Sequence, residues 1–280
     1  MSVTIRDLAK ATGLSLGTIS RALKNQGGLT EATRTRVFDT ARAMGYDLSK
    51  LKLGRIRRIA FLLHRQHNTL SSSPFFSPVL HGAEAACRAE GIALSFVAVR
   101  PAEPVMEQIR VHQPDAILCA GFFEPELLHA IRASGKPMVL IDMQLSGYTS
   151  VNPDNRLGGY LATRHLIKAG RKRIAIPHHA NEEASVKRAM LSLLAMSQPP
   201  DAVFCYNDST ALTAMQTCLE AGLKVPHDIA PIGFDDISAA PRANPPLSSI
   251  HVDKVALGAE GVELLLRKTQ DEVIEKILTV

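Results

Sequence analysis

The chain has no tryptophan and few other aromatic residues, so its core must be built mainly from aliphatic side chains. Its four cysteines are far apart and form no C-x-x-C pair, which favours buried free thiols over a disulfide or metal site. The first residues lack the apolar core of a signal peptide, and no run approaches the roughly 18 apolar residues of a membrane span. We therefore expect a cytoplasmic protein without a metal or other cofactor.

The motifs of common enzymes are also missing. There is no G-x-S-x-G sequence, no phosphate-binding loop and no G-x-G-x-x-G sequence. His64 and His67 follow one apolar run and His178 and His179 follow another, but neither group has further ligands at metal spacing. We interpret them as surface or loop histidines and predict that the chain is not an enzyme.

Positive charge is concentrated at the N-terminal end. Residues 1–58 contain twelve Lys/Arg and four Asp/Glu, a net charge of +8. The remaining 20 Lys/Arg and 23 Asp/Glu give a net charge of −3. A basic head on a slightly acidic body predicts that the head alone binds a polyanion.

Residues 4–23 read as two short helices joined by a tight turn. Thr4 is placed to cap the first helix, with Asp7 in the capping-box position, and Gly13 ends that helix. Ser15 caps the second helix, and a third follows from Thr30 or Thr33. This pattern is typical of a helix-turn-helix domain that binds double-stranded DNA.

The second helix would lie in the major groove. Arg21 can make a bidentate contact to guanine, Leu16 can touch a thymine methyl group, and the base-reading residues are Leu16, Gly17, Ser20 and Arg21. The polar residues expected to contact phosphates are Thr4, Ser15, Thr18 and Asn25. The alternative is a small structural helical bundle with solvated charges.

The chain divides into a head at 1–46, a linker or hinge at 47–58 and a core at 59–280. The linker is basic with interspersed leucines, so it is either a short helix that forms on DNA or a solvated strap. In the core, apolar runs alternate strictly with amphipathic helical segments, as Ile59–Leu63, Met138–Ile141 and Ile229–Gly233 illustrate. This alternation predicts an α/β fold with parallel sheets covered by helices on both faces.

Polar residues follow the predicted strands or open the helices after them, where ligands bind in such sheets. Asp142, Asn155, Asn207 and Asp235 are of this kind, and carboxylates and amides in a cleft hold polyols by paired hydrogen bonds. Phe75 and Phe76 are candidates for an apolar platform under a sugar ring. Each Asp or Asn alone also fits a turn or helix cap.

The sequence resembles the lactose-repressor (LacI/GalR) family over essentially its whole length. The motifs that carry the resemblance are Thr4–Ala9, Ser15–Leu23, Met44-Gly45-Tyr46, Pro74–Phe76, Val151-x-x-Asp154-Asn155, His165–Ala175, Pro199–Ala211, Gly233–Asp236 and Pro245–Ile250. The resemblance implies a periplasmic-binding-protein-like core of two lobes, with the chain crossing between them, and a homodimer. It also implies operator affinity governed by a small effector, often a sugar, and points to Asp142, Asn207 and Asp235 as effector contacts, followed by Asp154 and Asn155.

The sequence departs from the family pattern in two places, and there the family's features cannot be assigned to this chain. About one βα unit is missing near residues 177–198; either the protein has lost it or this sequence omits a segment. We favour omission, because a loss is expected to leave a hole in the sheet of the second lobe. The linker lacks the family's hinge pattern, so insertion of Leu51 or Leu53 into the minor groove is a hypothesis only.

These observations together favour a ligand-responsive transcriptional regulator, in particular a repressor released from a palindromic operator by a small sugar-like effector. The rival from another class is a sugar-binding transport protein, which the basic head and the missing signal peptide disfavour. A sugar-metabolising enzyme is a third, weaker alternative.

Overall fold

The computed structural model describes residues 3–23, 28–46, 56–64, 74–99, 104–177, 183–267 and 273–280. Within these residues the chain forms a small helical head and a core of two lobes, each built on a parallel sheet. None of the described helices is both long and apolar enough to cross a membrane.

The head contains three helices, α1 (Ile5–Thr12), α2 (Leu16–Leu23) and α3 (Glu31–Ala43). The predicted capping box is present, since the Thr4 hydroxyl accepts from the Asp7 amide and the Asp7 carboxylate accepts from the Thr4 amide at 2.8 Å. Gly13 ends α1 with a φ of 68°, a conformation that glycine adopts without a steric penalty. The small core of the head consists of Leu8, Ile19, Ala22, Leu23, Val37 and Ala41.

The first lobe is built on a six-stranded parallel sheet in the order β10-β5-β4-β3-β1-β2. Its strands are β1 (Arg58–His64), β2 (Ala93–Val99), β3 (Ala116–Ala120), β4 (Met138–Ile141), β5 (Ser150–Pro153) and β10 (Glu275–Leu278). The central strands β3 and β4 are fully buried, as expected for a parallel sheet covered on both faces. The helices that follow β1, β2 and β3 are α4 (Phe76–Ala89), α5 (Val105–His112) and α6 (Pro125–Arg132).

The second lobe is built on a four-stranded parallel sheet in the order β6-β7-β8-β9. Its strands are β6 (Ile174–Ala175), β7 (Ala202–Phe204), β8 (Ala230–Asp235) and β9 (Ser248–His251). Its helices are α7 (Asn155–Lys168), α8 (Glu183–Leu194) and α9 (Asp208–Glu220). The chain enters this lobe after β5 and leaves it after β9.

The expectation of a hole in the second sheet was wrong. Ile174 on β6 pairs directly with Ala202 on β7, and the ladder continues without a gap to β9. Strand β6 lies at the edge of the sheet, so a further strand has room to pair outside that edge without separating existing neighbours. A real loss of the unit is therefore compatible with a continuous sheet.

Helix α10 (Lys254–Arg267) returns the chain to the first lobe, where it packs against α4. The two backbones approach closely at glycines: a Cβ on Gly258 would lie 1.9 Å from the carbonyl oxygen of Val79, and one on Gly82 would lie 2.0 Å from that of Val255. Only glycine fits at these two positions. This close packing against α4 fixes α10 to the first lobe.

Candidate functional site

The cleft between the lobes is marked by two aspartates at the carboxyl ends of central strands. Asp142 follows β4 of the first lobe and Asp235 ends β8 of the second. Both have left-handed backbone conformations, with φ values of 57° and 101°. Such conformations cost a non-glycine residue about 1–3 kcal/mol and are found most often at functional sites.

The electrostatics of the two carboxyl groups are linked across the cleft. Burial raises the pKa of Asp142 to about 7. Burial also raises the pKa of Asp235 to about 8, helped by the nearby carboxylates of Asp142 and Asp208 and opposed by the ammonium of Lys254. A pair of partly desolvated carboxylates favours a ligand that donates hydrogen bonds to both lobes, as the hydroxyl groups of a sugar do.

Behind Asp235 lies a fully buried carboxylate, Asp208, at the start of α9. It accepts hydrogen bonds from the Ile237 amide at 2.8 Å and from the Ser249 hydroxyl at 2.5 Å. Burial raises the pKa of Asp208 even though both bonds favour the ionised form. Asp208 therefore joins α9, the loop after β8 and strand β9.

Lys254, the first residue of α10, links the end of β8 to the segment between β9 and α10. The ammonium of Lys254 donates to the backbone carbonyls of Asp235, of Asp236 at 3.3 Å and of Val252 at 3.0 Å. Neither Lys254 nor Asp208 was predicted to be a site residue from the sequence. Asp208 had a local signal, an acidic residue directly after the candidate Asn207, whereas Lys254 had none.

Three further candidates lie at the starts of helices. Asp154 caps α7 and accepts from the Leu157 amide at 2.8 Å, while Asn155 is the exposed first residue of that helix. Asn207 caps α9 and accepts from the Thr210 amide at 2.8 Å. These bonds match the capping alternative for Asp154 and Asn207, and effector contact by all three stays a prediction.

Phe75 and Phe76 are placed differently from the predicted platform. Their side chains are only 6% and 3% exposed, and the rings pack edge to face at 5.0 Å within the core of the first lobe. This burial leaves little of either ring accessible to a sugar. The sequence pattern alone did not reveal this burial, because both residues precede or open a helix in a polar stretch.

The head presents its candidate base-reading residues to solvent. Leu16 is 49% exposed, Gly17 and Arg21 are exposed, and Ser20 is partly buried. The Ser15 hydroxyl accepts from the Thr18 amide at 3.1 Å and pairs with the Thr18 hydroxyl at 2.9 Å. The remaining DNA-contact candidates, Asn25, Leu51 and Leu53, lie outside the described residues.

Comparison with known proteins matches every part of this architecture. Residues 4–48 match the bacterial regulatory proteins of the lacI family, residues 58–192 match the periplasmic binding proteins and sugar-binding domain of that family, and residues 148–279 match a periplasmic-binding-protein-like domain. The chain is 30% identical to the HTH-type transcriptional repressor PurR of Aliivibrio fischeri, over 98% of this chain and 94% of that protein. The chain belongs to the LacI family.

This assignment confirms the predicted family and fold. Another relative, PurR of Haemophilus influenzae, is 29% identical over 98% of this chain and 94% of its own length. The prediction that the chain is not an enzyme agrees with these relatives, which are repressors. The alignment with this relative spans 320 positions, whereas the chain has 280 residues, so the relative contains segments that this chain lacks.

Solved structures share the same fold. A transcriptional regulator CelR–cellobiose complex superimposes with a TM-score of 0.70 at 23% identity, covering 99% of this chain and 97% of that one. The lac repressor dimer bound to operator and the anti-inducer ONPF also gives 0.70, at 20% identity, covering 100% and 97%. At these identities the likeness concerns the fold alone.

Proposed function

We propose that this LacI-family protein is a cytoplasmic repressor that leaves its operator when a small sugar-like effector binds between the lobes. The observation that carries the proposal is the convergence of Asp142 and Asp235, one from each lobe, at the carboxyl ends of β4 and β8. A ligand that donates to both carboxylates stabilises the closed arrangement of the lobes. Asn207, Asp154 and Asn155, at the starts of α9 and α7, are the further polar candidates for effector contact.

The DNA end of the mechanism rests on the exposed face of α2. In a homodimer, two copies of this helix enter successive major grooves of a palindromic operator. Leu16, Gly17, Ser20 and Arg21 read bases, and Thr4, Ser15, Thr18 and Asn25 contact phosphates. The division into a head at 1–46, a linker at 47–58 and a core at 59–280 belongs to the same proposal.

Effector binding and DNA binding are then linked by a coupling free energy of typically 1–3 kcal/mol. Closure of the lobes displaces the first lobe, from which the linker leads to the head. We propose inducer behaviour, in which the closed state binds operator more weakly. The rival transport function is disfavoured by the family match of residues 4–48.

Fluorescence anisotropy of the protein on a duplex from upstream of its own gene tests the proposal. The titration is made at one fixed salt concentration, without and with a panel of mono- and disaccharides that includes ribose and cellobiose. Tight binding to this duplex, weak binding to a scrambled duplex and release by one sugar would support it. Equal binding to both duplexes, or release by no member of the panel, would count against it.

A further inference from the structure

Two aspartates hold corresponding positions at the starts of the two sheets. Asp115 lies between Pro114 and Ala116 just before β3, and Asp201 lies between Pro200 and Ala202 just before β7. In each lobe this strand is hydrogen-bonded to the strand that begins the lobe, β1 in the first and β6 in the second. The same three-residue sequence thus occurs at equivalent points of both lobes.

Asp115 clamps the start of β1 through side chain and backbone together. One carboxylate oxygen accepts from the amides of Arg57 and Arg58, at 2.8 and 2.9 Å. The Asp115 amide in turn donates to the Arg58 carbonyl at 2.8 Å. Two successive amides at the end of the linker are therefore bound to one residue of the first lobe.

Asp201 makes the same arrangement at the start of β6. Its carboxylate accepts from the Lys172 amide at 3.0 and 3.1 Å and from the Arg173 amide at 2.9 Å. Its own amide donates to the Arg173 carbonyl at 3.0 Å. The two clamps are chemically alike, so any difference in their roles must come from what each one holds.

The segments bound by Asp115 and Asp201 connect to different parts of the chain. Arg57 and Arg58 follow the linker to the head, whereas Lys172 and Arg173 follow α7 inside the second lobe. Lys136, just before β4, donates to the carbonyl of Pro114, the residue that precedes Asp115, at 2.6 Å.

We propose that Asp115 is a positioning residue that fastens the linker to the first lobe and so transmits movement between this lobe and the DNA-binding head. A displacement of β3 then carries the end of the linker with it, because both amides move with the carboxylate. The inference rests on the proposed function, since it assumes that the head binds DNA. Asp201, which holds no linker, has no such role.

Hydrogen exchange with and without DNA tests this inference. The probe is a duplex from upstream of the gene, at low salt, added to the full-length wild type, D115A, D115N and D201A. In the wild type we expect DNA to slow exchange in the head and also across residues 57–64, by about tenfold. In D115A the head should stay protected, while exchange across 57–64 should come within about twofold of the DNA-free rate.

The two remaining variants serve as controls. D115N keeps one acceptor oxygen and should give partial protection of residues 57–64. If D115A does not fold, the protection of 57–64 is measured in D115N instead. D201A should behave like the wild type at 57–64. The inference is overturned if D115A and D115N keep full protection there, if D201A loses it equally, or if DNA protects the wild-type head but not 57–64. No protection of the wild-type head would instead refute the proposed function, and this inference with it.

Discussion

Asp235 lies within electrostatic range of Asp142 across the cleft between the lobes. Burial, and then the charges of Asp142 and Asp208, raise the pKa of Asp235 to about 8, while burial raises that of Asp142 to about 7. Without a ligand, the two lobes therefore present carboxyl groups whose ionised forms are disfavoured. We propose that a donor-rich effector bound between them offsets the cost of ionising these buried carboxyl groups.

The raised pKa values predict that the fold becomes less stable as the pH rises. The pKa of Asp142 is above the value of 3.8 expected for the unfolded chain, so the folded state holds its proton more tightly. The free energy of unfolding should fall between about pH 5 and about pH 8, and D142N should reduce this fall by at least about 1 kcal/mol. Urea denaturation at both pH values measures the effect.

The control for this experiment is the exposed Glu90. E90Q should show the same pH dependence as the wild type. A D142N variant whose stability falls with pH as steeply as that of the wild type would show that Asp142 does not pay a burial penalty in solution.

The contact between α4 and α10 predicts that Gly258 tolerates no side chain. The Cβ of alanine would lie 1.9 Å from the Val79 carbonyl oxygen, so the helices must separate. G258A should lower the free energy of unfolding by about 1–3 kcal/mol or more. Gly159 in α7 is the matched control, because its nearest contact would be at 3.8 Å. There alanine should stabilise the protein by up to about 1 kcal/mol, and equal effects of the two substitutions would contradict the packing argument.

The bond between Ser249 and Asp208 predicts a structural role for a residue near the cleft. S249A removes one of the two hydrogen bonds to a buried carboxylate. The variant should be destabilised by about 1–3 kcal/mol in chemical denaturation. S238A, at an exposed serine in the loop after β8, should change stability by no more than about 0.5 kcal/mol. A neutral S249A would mean that water replaces the hydroxyl group.

The exposed position of Arg21 predicts a specific contribution to DNA binding. R21A should weaken binding to the upstream duplex by about 1–3 kcal/mol while affecting a scrambled duplex far less. R42A removes the same charge from an exposed position on α3 and should change the binding of both duplexes alike. Equal losses by R21A on both duplexes would assign Arg21 to phosphate contact.

The linker leucines give a separate prediction. If Leu51 and Leu53 insert into the minor groove, the double variant L51A/L53A should lose operator affinity and reduce the DNA bend, because apolar wedges unstack a base step. Gel mobility of circularly permuted operator fragments measures the bend. Unchanged affinity and bend would exclude the wedge.

The local signals in the sequence were sufficient for the head and for most of the core. Thr4, Asp7, Gly13 and Ser15 act within one or two turns of helix, so their roles could be predicted without tertiary information. The apolar strands β1, β4 and β8 were predicted because they are buried along almost their whole length. Strands β5, β9 and β10 were not predicted, since each has four residues and a polar or exposed pattern.

Candidate site residues could be predicted only where their position at the end of a strand is sufficient to identify them. Asp142 and Asp235 follow from the carboxyl-end rule for parallel sheets. The burial of Asp208 depends on Ser249 and Ile237, which are distant in sequence, and that of Phe75 depends on the core around α10. Such contacts carry no local pattern.

The measurement that tests the central claim most directly is the affinity of the releasing sugar for the free protein and for the operator-bound protein. Calorimetry on both forms gives the two dissociation constants. We predict that operator weakens sugar binding by the same factor by which sugar weakens operator binding, because one coupling free energy links both sites. Identical sugar affinity in the two forms would contradict it.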